Sequence, residues 1–393
     1  MESSASLNLG PLMLRRTLLL VSILSLVGCG SAGTRPSGLD ISESELLSGA
    51  VIFGDVVDTA GIEDPGLFEL DDDMRTFVAE HVIDYRAERD RTRRLLRAML
   101  ESGLMSLDYD NAQTKTARQT FHDGIGNCMS FTSLFIALAR EADLDVVFQT
   151  VEIPPVWHED SDFVILNNHV NAMVRQNFGS RVIVDFNTTE LKGDYETHVV
   201  TDEYALALFY NNVAMDALRD GNDKDSFRLL KKSIETYPKI ADNWANLGVI
   251  YSRNGRFDHA ITAYSEALNI DSHHRPSLSN LAALYRHIGD EENAEFYARQ
   301  IHRYQEQNPY YHYHKALAAY NADDLESAER RLERAIRLKR TEHKFYKLQG
   351  LIAERQGNPE LALDSFTHAR SLAVYSDAKS IYTSKIALLG DTL

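Results

Sequence analysis

The spacing of apolar residues changes along this chain, and each change marks a boundary. A mostly apolar run from Leu18 to Val27 follows the basic pair Arg15-Arg16, and the next stretch, Gly30 to Gly38, reads GSAGTRPSG with no apolar pattern. Helical spacing sets in after residue 65. Asp71-Asp72-Asp73 caps a predicted helix through Phe77, Val78, Val82 and Ile83, and a second helix spans Arg91 to Met99. A third opens at Cys128, behind the turn residues Gly124 and Gly126, with Phe131, Leu134, Phe135, Leu138 and Ala139 recurring at helical spacing. Phe163 to Val174 and Arg181 to Asn187 are then β-prone runs on either side of the turn-like Gln176-Asn177-Phe178-Gly179-Ser180, which predicts an antiparallel hairpin. Centred on Asn177, that hairpin sets His169 directly opposite Asp185 and on the same face.

From Ala207 the helical spacing becomes periodic. Cut every 34 residues, at 207, 241, 275, 309 and 343, the chain yields five copies with one grammar. The eighth position is always tiny (Ala214, Gly248, Ala282, Ala316, Gly350), as two antiparallel helices require at their closest approach. Position 20 is Ser226, Ala260, Ala294, Ala328 and Ala362, and Gly221, Gly255, Gly289 and Gly357 stop the first helix at position 15. With Trp244, Leu247, Gly248, Tyr251 and Ala260, the unit resembles the tetratricopeptide repeat. The resemblance covers residues 207–376, is weakest in copies one and four, and implies an all-α superhelix closed by a capping helix at 377–393. It also implies an inner groove lined by Arg219, Arg253, Arg286, His287, Tyr313, Tyr320 and Arg355, suited to an acidic or C-terminal peptide of a protein partner.

At 393 residues and 44% hydrophobic content the chain is long enough for two globular bodies. A formal net charge of -17 argues against nucleic acid as a partner and against membrane binding through a basic patch. Residues 1–28 read as a signal peptide, with a charged start, the apolar run and a cleavage site before Cys29. No later apolar run is long enough to span a bilayer. Leu26-Val27-Gly28-Cys29 resembles a bacterial lipobox, which implies acylation of Cys29 and a periplasm-facing protein held to the cell envelope by lipid alone. The lack of aspartate after Cys29 points to the outer membrane. Residues 29–64 are then expected to form a flexible leash.

With Cys29 acylated, Cys128 is left without a disulfide partner, since the chain holds two cysteines. Its place in Gly126-Asn127-Cys128-Met129-Ser130, at a helix start, matters because unpaired N–H groups there suit an anionic sulfur and a developing oxyanion. His169 is the favoured base and Asp185 its orienting carboxylate. His122 and His158 are rivals that no strand sets against a carboxylate. Thr114 to Ala117, Gly126-Asn127-Cys128, Asn168-His169 and Val184-Asp185-Phe186-Asn187 together resemble the transglutaminase-like superfamily of papain-related folds. That resemblance covers about residues 70–200 and implies an α+β domain over 65–205, with a cysteine-bearing helix packed on an antiparallel sheet. Asn171 departs from it, standing where many relatives have an aromatic residue.

The implied chemistry is thioester formation on an amide carbonyl at Cys128, resolved by water (peptidase or amidase) or by an amine (transamidation). The alternative is a non-catalytic envelope scaffold carrying a relic triad. No cofactor is expected, because phosphate-loop and dinucleotide glycine patterns are absent. No metal is expected either: His273-His274, His312 and His314 sit in the repeats and no H-E-x-x-H occurs.

Overall fold

The computed structural model describes residues 40–82, 87–104, 113–152, 156–157, 164–165, 169–186, 196–373 and 376–390. The expected signal peptide, Cys29 and the first part of the expected leash lie outside the described residues. Two short helices, α1 (Glu43–Leu46) and α2 (Ala50–Phe53), precede α3 (Asp72–His81), α4 (Glu88–Glu101), α5 (Ala117–Asp123) and α6 (Cys128–Glu141). The starts of these helices are chemically marked. Asp71 accepts the Met74 N–H at the head of α3, Thr116 and Gln119 form a reciprocal capping box on α5, and Asn127 accepts the Ser130 N–H on α6.

The strands β1 (Asp145–Glu152), β2 (Val156–Trp157), β3 (Val164–Ile165), β4 (His169–Arg175), β5 (Arg181–Val184) and β6 (Glu196–Val200) follow. β5, β4, β1 and β6 form one sheet in that order, antiparallel throughout, while β2 and β3 pair with each other. Every residue of α6 from Met129 to Ala139 is buried, so this helix is the centre of the N-terminal core, packed between α3, α4, α5 and the β1–β4 face.

The hairpin register differs from the sequence expectation. Arg175 pairs with Arg181 and Ala172 with Val184, which centres the turn on Phe178 and sets Asn171, not His169, across from Asp185. A single 3₁₀ turn at Asn177–Gly179, closed by the Gln176 N–H donating to the Ser180 carbonyl, produces this centring. Moving the centre by one residue moves each partner by two, and an even shift leaves every side chain on its original face.

The remaining helices pair off: α7 (Asp202–Arg219) with α8 (Asp223–Thr236), α9 (Ala241–Arg253) with α10 (Phe257–Ile270), α11 (Arg275–His287) with α12 (Glu291–Gln307), α13 (Pro309–Asn321) with α14 (Leu325–Leu338), and α15 (His343–Arg355) with α16 (Pro359–Leu372). α17 (Ser376–Gly390) packs on the last pair. The small residues sit where helices touch. A Cβ on Gly248 would lie 2.6 Å from the Tyr264 ring, and one on Gly350 would lie 2.7 Å from the Phe366 ring. At position 15 four copies turn through a glycine with φ between +67° and +81°, and copy four uses Asp323 at φ +63°.

Two boundaries depart from expectation. α7 belongs to both bodies: Ala205, Ala207, Leu208, Phe209 and Tyr210 lie in the N-terminal core, Ala214 and Leu218 in the core of the first repeats. The expected boundary at 205–207 therefore falls inside one continuous helix. The expected leash is also ordered from Asp40 on and packs on α8 and α9, in repeats one and two. Leu46 and Val57 are buried with Phe227 and Tyr251, and the Tyr251 hydroxyl donates to the Leu46 carbonyl. Arg228 reaches the carbonyls of Asp58 and Ala60, and Lys231 that of Val57, at 2.7–2.9 Å. The turn-rich composition ends at Gly38; beyond it Ile41, Leu46, Leu47, Ile52 and Phe53 supply apolar surface that drives docking, with a fully buried leucine contributing roughly 2 kcal/mol.

Candidate active site

Cys128 is the first residue of α6, half-buried and not in a disulfide. The N-cap Asn127 holds this helix start from both sides. Its Oδ1 accepts the Ser130 N–H and hydroxyl at 3.0 Å each, and its Nδ2 donates to Thr114 Oγ1 at 2.7 Å. Gly126 is required just before, since a Cβ there would meet Ser130 Cβ at 2.5 Å. Phe131 N–H already bonds to the Asn127 carbonyl. The N–H groups of Cys128 and Met129 are the first-turn donors that these bonds leave over.

His169 opens β4 and is almost fully buried, its side chain 2% exposed. Its Nε2 lies 2.8 and 2.9 Å from the two oxygens of Asp185, which follows β5. A carboxylate only accepts, so Nε2 carries a proton and Nδ1 is the nitrogen left for the thiol. The Cys128 side chain is the other group that acts on the ring's charge. Burial, the largest single influence, works against a charged imidazole. The hydrogen bond to Asp185, the influence of Cys128 and the negative charge of both outweigh it and hold the ring's pKa at about 9.

Imidazole and carboxylate thus form a hydrogen-bonded pair on which the Cys128 thiol also acts. The diagonal pairing of His169 with Asp185 brings in a residue the sequence pattern did not flag as functional: Asn171, directly opposite Asp185, donates its Nδ2 to Asp185 Oδ2 at 3.3 Å. Phe186 is a second. Its ring lies 6.0 Å from that of Phe131 and 6.2 Å from that of Phe135, one and two turns along α6 from Cys128, and so ties the carboxylate's end of the sheet to the nucleophile's helix. An aromatic directly after the aspartate, facing two phenylalanines at helical spacing, was the available signal.

The rival bases lie elsewhere. His122 donates to Asp71 Oδ2 at 2.7 Å on an exposed surface, and His158 falls outside the described residues. Among the described residues Asp71, Asp73 and His122 bring their ligand atoms within 4.8 Å of one another, a grouping that no metal motif in the sequence announced. No helix of the described residues is long and apolar enough to cross a membrane.

The seven groove residues are not brought together as a free basic row. Arg253 donates to the Leu218 carbonyl at 3.3 Å and pairs with Asp223, while Arg355 donates to the Tyr320 carbonyl at 2.9 Å and covers the Tyr320 ring at 4.0 Å. Both arginines therefore staple a helix end to the preceding repeat across 35 residues. Arg219 is bonded to Asp216, Tyr313 packs on Phe345, and His287 meets the edge of Phe257. Arg286 is exposed. β2 runs against α13, the first helix of the fourth repeat.

Residues 241–274 match the tetratricopeptide repeat model. The helix pairs on either side of that matched unit repeat its 34-residue spacing and its pairing of adjacent helices. Among solved structures it is similar to MamA from residue 41 to its end, from Desulfovibrio magneticus RS-1, with 20% identity over 44% of this chain and 96% of that one and a TM-score of 0.25. YrrB, described as a TPR protein with an unusual peptide-binding site, shows 14% identity over 45% of this chain and 92% of that one, TM-score 0.24. TTC0263, a thermophilic TPR protein of Thermus thermophilus, shows 15% identity over 46% of this chain and 99% of that one, TM-score 0.24. No curated protein matches the chain.

Proposed function

We propose that this protein is a protein-binding scaffold that also carries a working thiol site for acyl transfer on amide bonds, built as a transglutaminase-like domain. The observation that supports the catalytic part is the placement of Cys128, His169 and Asp185 on three separate elements, with the buried imidazole bonded to the carboxylate and acted on by the half-buried thiol. A relic would be free to lose such an arrangement, because burying a charged pair costs stability unless it is fully hydrogen-bonded. In the proposed reaction Cys128 Sγ attacks the carbonyl carbon, and the C–N bond breaks as His169 passes its proton to the leaving amine. Water or an amine then adds to the thioester, giving its proton to His169 as the C–S bond breaks and the thiolate is restored. The N–H groups of Cys128 and Met129 are the donors on hand for the oxyanion.

The second reading, a scaffold alone, draws its support from the matched repeat and the interaction role of such arrays. Cys128→Ala separates the two: a scaffold keeps its cellular role and its partners, an enzyme keeps the partners and loses the product. The direct test is alkylation by iodoacetamide at about pH 6.5, two units below the pKa of an ordinary thiol. A rate well above that of a free cysteine, and lost in His169→Ala, supports the thiol site; a rate indifferent to His169→Ala refutes it. Attachment to the bacterial outer membrane by a lipid on Cys29, facing the periplasm, belongs to the same proposal. Cys29→Ser should release the protein from the membrane fraction and abolish labelling by a fatty-acid probe.

A further inference from the structure

Three polar side chains stand in one row across the sheet beside the thiol site. Gln149 of β1 pairs directly with Asn171 of β4, and the β4–β5 register continues the row to Asp185. Gln149 and Asn171 are each 3% exposed. Asn171 turns its Nδ2 to the Asp185 carboxylate, 3.3 Å from Oδ2, although the Gln149 carbonyl oxygen on its other flank has no hydrogen-bond partner among the described residues. The Gln149 amide nitrogen is directed instead at Met173 Sδ, at 3.6 Å, and Thr197 Oγ1, at 3.5 Å. Asn171 Oδ1 is likewise buried with no partner among the described residues. A buried amide with one of its two groups unpaired costs stability, so an apolar strand-forming residue would serve the fold better at this position. What the asparagine supplies, and such a residue cannot, is a donor to the carboxylate that holds His169.

We propose that Asn171 is a positioning residue for the thiol site, holding the Asp185 carboxylate against His169; its consequence for reactivity rests on the thiol reading above. His169 Nε2 lies 2.8 Å from Asp185 Oδ1 and 2.9 Å from Oδ2, and Asn171 binds the oxygen farther from the ring. Two residues of one strand, sharing one face, thus grip the same carboxylate. The terminal torsion of an aspartate is soft, so losing a donor makes it easier for the carboxylate to turn toward solvent, to which the Asp185 side chain is already 24% exposed. The bond made by one imidazole nitrogen decides which nitrogen carries the proton and how the ring is oriented. Whatever fixes the carboxylate therefore also fixes the nitrogen left for the thiol.

The experiment uses the full chain with Asn171→Val and Asn171→Thr, two β-branched replacements of one shape, of which only the second brings a hydroxyl to donate toward the neighbouring strand. Two quantities are read: the solvent exchange rate of the His169 Nε2–H by NMR, and the rate of iodoacetamide alkylation at Cys128. A hydrogen bond to a charged acceptor is among the stronger side-chain bonds, so in Asn171→Val exchange should rise about 10-fold and alkylation at about pH 6.5 should fall about 10-fold. Asn171→Thr should stay within about 3-fold of wild type on both. Asn171→Val should unfold at a temperature no lower than that of wild type, since it buries no unpaired amide. Equal exchange rates in the two variants, or loss of folding in either, overturn the proposal, because a packing role does not distinguish a hydroxyl from a methyl group. If exchange separates the two variants but the wild-type thiol is itself indifferent to His169→Ala, the hold on the carboxylate stands and the thiol reading fails instead.

Discussion

Replacing Asp185 by Asn tests the electrostatics of the site most directly. In the native protein the imidazole of His169 is raised from 6.5 to about 9, a preference of about 2.5 units for the charged ring. At ~1.36 kcal/mol per unit this is roughly 3 kcal/mol. Burial pulls the other way, so without the carboxylate only Cys128 is left to oppose it and the ring should titrate well below 9. The sign for stability follows. A group whose folded pKa is raised stabilises the fold fully below about 6.5 and loses that contribution as pH climbs through about 9. Asp185→Asn should therefore be less stable than wild type at about pH 6, by roughly 3 kcal/mol less whatever the amide's own hydrogen bond recovers, and the gap should close by about pH 10. NMR titration of ring-labelled His169 reads the protonation directly, and urea unfolding at the two pH values reads the linkage. Any acyl-transfer activity should show an alkaline limb near 9 in wild type, because His169 must be protonated to release the amine. A ring that still titrates near 9 in Asp185→Asn, or a stability gap that widens with pH, would refute the reasoning.

Three further outcomes are expected. Gly248→Ala places a methyl group 2.6 Å from the Tyr264 ring and should destabilise the second repeat by about 1–3 kcal/mol, seen as a lower unfolding midpoint, although alanine is the better helix former. Tyr251→Phe removes the donor to the Leu46 carbonyl; the loss of about 1–2 kcal/mol should appear as faster proteolysis or hydrogen exchange across residues 41–60 while the repeats stay folded. Arg286→Glu leaves the inter-repeat staples intact, so weakened capture of a protein partner at unchanged melting temperature would assign the groove. Arg253→Glu, in contrast, should lower stability as well, because Arg253 holds the Leu218 carbonyl.

Much of this molecule could be read from local pattern. The repeat units were legible because a small residue at position 8 and a turn at position 15 recur every 34 residues, and those constraints act within one helix pair. Copy four was also the copy whose turn the pattern failed to mark: Asp323 adopts the left-handed conformation that glycine takes elsewhere. His169 and Asp185 share a face because strand alternation has period two. Their being diagonal rather than opposite neighbours escaped, since the centring of the turn depends on the single 3₁₀ turn between the strands. The further bonds of the groove arginines escaped for a related reason. Their inward position follows from helical geometry, but whether a guanidinium faces solvent or staples the preceding carbonyl depends on how two repeats stack.

The sequence by itself determined that helices form around residues 72–81, 91–99 and from Cys128, the 34-residue period, and which side of the hairpin carries the imidazole and the carboxylate. These follow from capping chemistry and backbone periodicity, which act over a few residues. Only the tertiary structure decided that residues 41–60 dock on α8 and α9, that α7 serves two cores, that Asn171 bonds Asp185 and that Phe186 packs on the nucleophile's helix. It also decided the charge state of His169, because burial of the ring and its two partners act on it only when segments 41 and 16 residues apart in sequence are folded together.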